Sequence, residues 1–235
     1  LEEKRKRLEE LENYDQVKEE TREQQEECEK HLDALCKKLS DLRQKEGKKL
    51  VKRISQGLND LNFIDVEFSM EFRRLEQYGP GGYDEAESLI STNPGMPMRP
   101  LGMVASGGEL SRIMLAIKAV LADTDDIPTL IFDEIDTGIS SRTAQKVSEK
   151  LCYIAKTHQV ICITHLPQIA AMADTHFEIE KQARKGATTT SIRQLEDEEM
   201  VAELARLLGG AEITEAVYDN AREMKRLAGE RKKSG

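Results

Sequence analysis

TLIFDEID, Thr129 to Asp136, is the stretch on which the reading of this chain turns. Pro128 precedes Thr129, Leu130, Ile131 and Phe132, a short continuous apolar run of the kind that forms a buried strand in a parallel sheet. Asp133 and Glu134 then fall at the strand's C-terminal end, the edge where ligands bind in open α/β sheets. Two adjacent carboxylates there are costly to the fold unless they are put to use. Alternation along a strand sends the two to different sides. One acid then suits a Mg2+ ion, usually held through its waters, and the other a nucleophilic water that it orients and deprotonates. The plainer alternative is a pair of acids that caps the next helix.

Upstream lies ASGGELSR, Ala105 to Arg112, where apolar positions begin to recur at helical spacing: Leu110, Ile113, Met114, Ile117, Val120 and Leu121. Ser106 and Glu109 fit the capping-box pattern S-x-x-E, which marks a helix start worth about 1 kcal/mol. Gly107 and Gly108 are poor helix formers, each costing up to roughly 1 kcal/mol relative to Ala. A bare backbone through which an anion can approach free N–H groups, with the Ser106 hydroxyl as a further donor, accounts for them. Downstream, Val160 to Thr164 forms another apolar strand ending at His165, on the same sheet edge as Asp133 and Glu134. A single His is usually structural, but at this position it also suits a hydrogen bond to a terminal phosphate.

This order of elements resembles the second half of an ABC-type ATPase head. Within that group, ASGGELSRIMLAIK, DEIDTGISSRTA and ITHLPQIAAMAD, with Asn93-Pro94-Gly95 and Pro100-Leu101 upstream, are similar to the RecN family of SMC-like bacterial DNA repair proteins. The similarity runs from about Phe63 to Leu227 and includes ELARLLGG, Glu203 to Gly210. It implies an α/β fold: the C-terminal lobe of an ABC/SMC-type P-loop ATPase head, with a parallel-sheet core and flanking helices, preceded by a long coiled-coil helix. It also implies ATP and Mg2+ as cofactors. Ser106, Gly107, Gly108 and Glu109 match the signature loop that contacts the γ-phosphate of a nucleotide held mainly by the opposing subunit. Asp133 matches the Walker B aspartate on Mg2+, Glu134 the catalytic base and His165 the switch histidine. Ala105 stands where many ABC proteins have Leu, and Ser140 where the D-loop usually has Asp, so Asp136 and Ser140 are the candidates to share the D-loop role.

A G-x-x-x-x-G-K-[ST] phosphate loop occurs nowhere in the sequence. In the resembled family that loop lies in an N-terminal lobe, separated by a coiled-coil hairpin, and this chain opens without Met inside a helical pattern. The expectation is a C-terminal fragment, inactive alone, that completes an ATP site with the Walker A lobe of the same protein and with a second head in a homodimer. DNA is a partner implied by the resemblance.

Residues 1–60 contain no Pro and are rich in Glu, Lys, Arg, Gln and Leu, all good helix formers. Leu32 and Leu39 at one heptad position, with Leu35 and Leu42 at its partner, define a seam that extends back through Cys28, Thr21, Tyr14 and Leu11 and is interrupted by Lys18 and Gln25. The helix is too polar to be stable alone and expects an antiparallel helical partner. Residues 61–229 form the head lobe. Within it, Val66 to Phe72 and Ala86 to Ile90 alternate as antiparallel strands around a Gln77 to Gly82 turn, and Thr92 to Pro100 is a loop. Thr175 to Lys181 and Thr188 to Gln194 form a hairpin with Ala183 to Gly186 at its tip, and helices over Asp197 to Leu208 and Thr214 to Leu227 finish the lobe, punctuated by Gly209-Gly210. Residues 230–235, with Arg231, Lys232 and Lys233, read as a disordered basic tail.

Cys28, Cys36, Cys152 and Cys162 show no C-x-x-C spacing, which fits reduced, inert thiols rather than a zinc site. No apolar run is long enough to span a bilayer, so no membrane partner is expected, and the cytoplasm is the default compartment. The net charge of −9 argues against strong duplex binding by the isolated chain through phosphate neutralisation. Lys45, Lys48, Lys49, Lys52 and Arg53 cluster where the coil meets the head, either as a solvated helix face or as a DNA-backbone contact. The leading reading is an ATP-hydrolysing DNA repair protein. The alternatives are a coiled-coil scaffold with a non-catalytic ATPase-like head, or another SMC-like ATPase of chromosome maintenance.

Overall fold

A computed structural model describes the chain apart from Leu1, Ile64, Pro94, Ala105, Asp125, Lys185, Gly186, residues 210–212 and Gly235. Pro94 and Ala105 of the quoted motifs, Gly186 of the hairpin tip and Gly210 therefore lie outside the described residues. Contacts divide the chain into two compact units, Leu1–Val51 with Met70–Ser88, and Lys52–Ser69 with Leu89–Gly235.

The first unit is built on helix α1, Glu2–Asp60, and the long strands β1, Glu67–Gly79, and β2, Gly82–Ser91. Strands β1 and β2 are neighbours in one sheet, joined across Pro80-Gly81, a turn tighter than the sequence pattern suggested. One stripe of α1 meets the hairpin. Cys36 and Ser40 are buried, Arg43 donates to Gly81 O at 2.7 Å, and a Cβ on Gly47 would stand 3.0 Å from the Phe72 ring. Asp33 at the head of the stripe accepts from Arg74 at 2.9 Å and from the Tyr78 hydroxyl at 3.0 Å, and Arg74 lies over the Tyr83 ring. The heptad seam lies on the adjacent stripe: Leu11, Tyr14, Leu32, Leu35, Leu39 and Leu42 are all exposed.

The second unit holds the last turns of α1 and the rest of the chain. Ile54, Leu58 and Leu61 are buried, and Gly57 lets α1 approach Ala116 closely. Asn62, at φ 68, ends the helix by turning the chain back, so that Phe63 N–H donates to Leu58 O at 3.1 Å. The Pro-rich loop that follows β2 closes as strand β3, Arg99–Pro100, which pairs antiparallel with Leu89 and Ile90. A 3-10 turn, Leu101–Met103, leads to helix α2, Gly107–Leu121. Strand β4, Thr129–Phe132, pairs in parallel with β5, Gln159–Cys162, with helix α3, Ser141–Ile154, as the crossover.

This α/β arrangement is the expected one, with the parallel sheet reduced to two strands. One expectation is corrected. The continuous apolar runs suggested strands covered on both faces, whereas Leu130 and Phe132 are buried and Ile131, in register with Ile161, is 67% exposed, with Ile161 and Ile163 also open to solvent. Within this chain, only one face of the pair is covered.

Helix α4, Pro167–Ala170, precedes the antiparallel hairpin of β6, Phe177–Arg184, and β7, Ala187–Gln194. Helices α5, Asp197–Gly209, and α6, Glu215–Ser234, then pack with the α4 segment through Ala170, Ala171, Met172, Leu204, Ala205, Ala221 and Ala228. The basic end of the chain, expected to be disordered from 230, is instead helical through Ser234. Within it Lys232 pairs with Asp174 and Arg231 with Glu149 at 3.2 Å, and earlier in α6 Lys225 donates to Ala173 O at 3.0 Å.

Among the described residues no helix is long and apolar enough to cross a membrane. All four cysteines are free, and burial pushes the Cys162 thiol up to about 12.

Leu204 is fully buried in α5, so Leu204→Ala is expected to cost about 2–5 kcal/mol in chemical denaturation, whereas Leu11→Ala on the exposed seam should leave the midpoint unchanged. An equal loss in both would refute this placement of the core. Burial, aided by Lys225, holds His176 below the usual imidazole pKa against the opposing pull of Glu203 and Glu178. The unfolded chain then takes up the proton first, so stability falls as pH drops below about 6.5 toward the depressed folded value. His176→Gln should flatten that slope in urea titrations at stepped pH.

Candidate functional site: the glycine-led helix and the acid pair

Helix α2 starts where the sequence places it. Ser106 is extended and accepts from Glu109 N–H at 3.4 Å, while Leu110 N–H closes the first turn on Ser106 O at 2.9 Å. Strand β4 stops at Phe132, so alternation no longer governs the two acids that follow. Asp133 is exposed and folds back, its Oδ1 accepting from Glu134 N–H at 2.8 Å. Glu134 takes φ 56, an uncommon conformation for a residue with a side chain. That left-handed step swings the chain across the first turn of α2, and Thr137 N–H donates to Glu134 O at 3.1 Å to close it.

The two glycines are explained by this crossing. A Cβ on Gly107 would overlap Glu134 Oε2, and a Cβ on Gly108 would stand 2.9 Å from Glu134 O and 3.1 Å from Thr137 Cβ. The open backbone inferred for an approaching anion is thus occupied by a carboxylate of the chain itself. Ser111 fastens the other side, its hydroxyl donating to Asp133 O at 2.7 Å. Ser106, Gly107, Gly108, Asp133 and Glu134 therefore converge at one end of α2.

His165 lies beyond the end of β5, which breaks off at Cys162 although Ile163 N–H still donates to Phe132 O at 3.0 Å. Its ring is 71% exposed, with Nδ1 3.0 Å from Asp136 Oδ2. Asp136, whose side chain is only 4% exposed, also accepts from His165 N–H at 2.8 Å and from the Thr164 hydroxyl at 2.6 Å. Within this chain the Asp136 carboxylate is buried and engaged in seating His165. Ser140 caps α3, accepting from Thr143 N–H at 3.3 Å.

Sequence reasoning missed Arg112, Ser111 and Thr164. Arg112 is buried, and its Nη1 donates to Ile135 O at 3.2 Å and Thr137 O at 2.9 Å; burial lowers its pKa against the opposing charges of Glu109 and Asp136. A signal for it existed: Arg112 shares the helical stripe of Gly108 and Ala116, where a charge is out of place. Among the described residues no group of three or more His, Cys, Asp or Glu is placed to hold a metal. Asp133 offers one exposed carboxylate, a donor set that suits Mg2+ only as an ion carried largely by water and phosphate.

The backbone contact at Gly108 cannot yield, while the Glu134 side chain at Gly107 can rotate away. Gly108→Ala is therefore expected to destabilise the chain by about 1–3 kcal/mol and Gly107→Ala by under about 0.5 kcal/mol, read from urea midpoints. The reverse order would show that the turn does not cross α2 here.

No family model matches the chain. Curated relatives do. The chain is 43% identical over 194 residues to the DNA repair protein RecN of Halalkalibacterium halodurans, covering 81% of this chain and 34% of that protein. It is 43% identical over 192 residues to RecN of Vibrio cholerae, covering 81% and 35%, and 41% identical over 212 residues to RecN of Bacillus subtilis, covering 84% and 37%. Similar solved structures include the Smc head domain with a coiled coil and joint derived from Pyrococcus yayanosii, at TM-score 0.49 and 21% identity, covering 69% of this chain and 29% of that one. Another is the SmcHead bound to the C-winged helix domain of ScpA, at TM-score 0.44 and 20% identity, covering 67% and 46%. The chain spans about a third of the length of the curated relatives it matches, and over that stretch it belongs to the RecN family.

Proposed function

We propose that this chain is the C-terminal lobe of an SMC-like DNA repair ATPase and contributes half of a composite ATP site. The observation that carries the reading is the convergence of the Ser106-Gly107-Gly108 turn with the Asp133-Glu134 pair, beside a histidine seated by a buried carboxylate. Ser106 and the N–H groups at the start of α2 bind the γ-phosphate of a nucleotide held by an opposing head. Asp133 would hold a Mg2+ ion in part, and that ion would supply charge neutralisation on the phosphates. Glu134 takes the proton of the attacking water, for which it must leave Gly107, and His165 donates to the terminal phosphate.

The phosphate loop comes from a Walker A lobe of the same protein, and ATP joins two copies head to head. The open face bearing Ile131, Ile161 and Ile163 supports this reading, since it is the surface such a lobe would cover. The name shared by the relatives supports DNA repair as the task and DNA as the partner, and the cytoplasm is the setting proposed with them.

ATP turnover, measured with and without DNA, should be absent in this chain alone and appear when it is joined to the Walker A lobe. Glu134→Gln in the joined protein is expected to lower kcat by about 100- to 10,000-fold while ATP still binds and paired heads accumulate. Turnover at the parental rate in the Glu134→Gln variant would sink the assignment, and a folded joined protein without turnover would favour the scaffold reading.

A further inference from the structure

Phe63, Arg112 and the 134–137 turn form one continuous contact chain within the second unit. The root of α1 rests on α2, with Gly57 against Ala116 and Arg53 donating to Val120 O at 3.0 Å. The left-handed step at Asn62 returns Phe63 toward this root, and the Arg112 guanidinium stands 5.7 Å from the centre of the Phe63 ring. The same guanidinium grips Ile135 O and Thr137 O, on either side of Asp136, in the turn that Glu134 opens. Arg112 meets no carboxylate of its own at ion-pairing distance among the described contacts; its hydrogen bonds go to carbonyls of the turn. Both bonds leave one nitrogen of the guanidinium fork, Nη1, which stands one bond farther from the helix than a lysine ammonium reaches and whose N–H directions the planar group fixes. The ring face fixes the plane of that fork by cation–π attraction.

We propose that Arg112 is a positioning residue for Glu134, and that Phe63 sets its pose, so that the root of the long helix α1 regulates hydrolysis at this site. The inference rests on the function proposed above. A shift of the α1 root moves Phe63 and rotates the Arg112 fork. The turn then loses one of its two carbonyl anchors, and Glu134 is no longer held where it can meet the water. The device acts on the chemical step and leaves nucleotide affinity alone, because neither Phe63 nor Arg112 is placed among the phosphate-binding groups.

The test uses Arg112→Lys, Phe63→Leu and the double variant in the protein that carries this chain with its Walker A lobe. Arg112→Lys is expected to lower kcat about 10-fold, equivalent to about 1.4 kcal/mol, with KM within about twofold of the parent. Phe63→Leu should lower kcat about threefold, and the double variant should be no slower than Arg112→Lys alone, as expected for two residues acting in series. Unchanged kcat in folded Arg112→Lys, or a change confined to KM, overturns the proposal, and so do strictly additive effects. Amide hydrogen exchange on this chain separates that failure from failure of the ATPase reading. Arg112→Lys should speed exchange at Thr137 about 10-fold while the Gln159 and Ile163 amides of the β4–β5 pair stay protected. Equal acceleration at all three sites would reduce Arg112 to a general stabiliser and overturn the inference even in a protein that hydrolyses ATP. A parental protein that does not turn over ATP, with Thr137 still selectively loosened, would sink the ATPase reading and leave the anchoring of the turn standing.

Discussion

The close approach of the 134–137 turn to the first turn of α2 is the constraint on which the site depends. Without side chains at 107 and 108, Glu134 can cross the helix start, and its backbone oxygen comes to within 2.9 Å of where a Gly108 Cβ would sit. From that crossing follow the positions of Asp133, held by Ser111 and by Glu134 N–H, and of Asp136, directed inward to Thr164 and His165. A helix start free of side chains favours anions through its N–H groups whether the anion is a carboxylate or a phosphate. The same geometry holds the internal carboxylate, and on the proposed function it would take a phosphate once that carboxylate moves.

Much of this was legible from residue order. TLIF is a strand over the same four residues, Ser106 caps a helix, and the alternation around Phe68 and Ile90 marks two strands. These features rest on local chemistry, namely periodicity, capping and turn residues. What escaped depends on which surfaces meet. The apolar strand runs do not reveal that Ile131 and Ile161 face outward, because a continuous apolar run looks the same whether one face or both are covered within the chain. The hairpin of the first unit packs on the Cys36–Ser40–Arg43–Gly47 stripe, which is mixed in polarity and was overshadowed by the leucine seam beside it. Arg231 and Lys232 looked like a solvated tail because their partners, Glu149 and Asp174, are remote in sequence.

Arg112 shows the same limit in its sharpest form. A charged residue in an apolar stripe is costly to bury unless its hydrogen bonds are met, and here backbone carbonyls from a distant turn meet them. Nothing in the spacing of ASGGELSR specifies those carbonyls. They become available only because the left-handed step at Glu134 exposes Ile135 O and Thr137 O toward α2. The requirement runs both ways, since the turn without Arg112 would leave carbonyls short of partners and Arg112 without the turn would be a buried charge facing apolar neighbours.

The site thus separates a fixed part from an adaptable one. Asp136 is buried and accepts two hydrogen bonds, from the Thr164 hydroxyl and from His165 N–H, and it stands 3.0 Å from His165 Nδ1 although the ring lies in solvent. Removing that carboxylate would cost the orientation of the ring along with the hydrogen bonds. Glu134 is the opposite case. Its backbone is pinned by Asp133, Thr137 and the glycines, in a conformation that costs roughly 1–3 kcal/mol where it is not compensated. Its side chain is exposed and lies against Gly107. On the proposed function Glu134 leaves one anion position and reaches a water in another, which needs this combination of a rigid backbone and a free carboxylate. On that proposal the strain at Glu134 is the cost of holding the pivot still while the side chain moves.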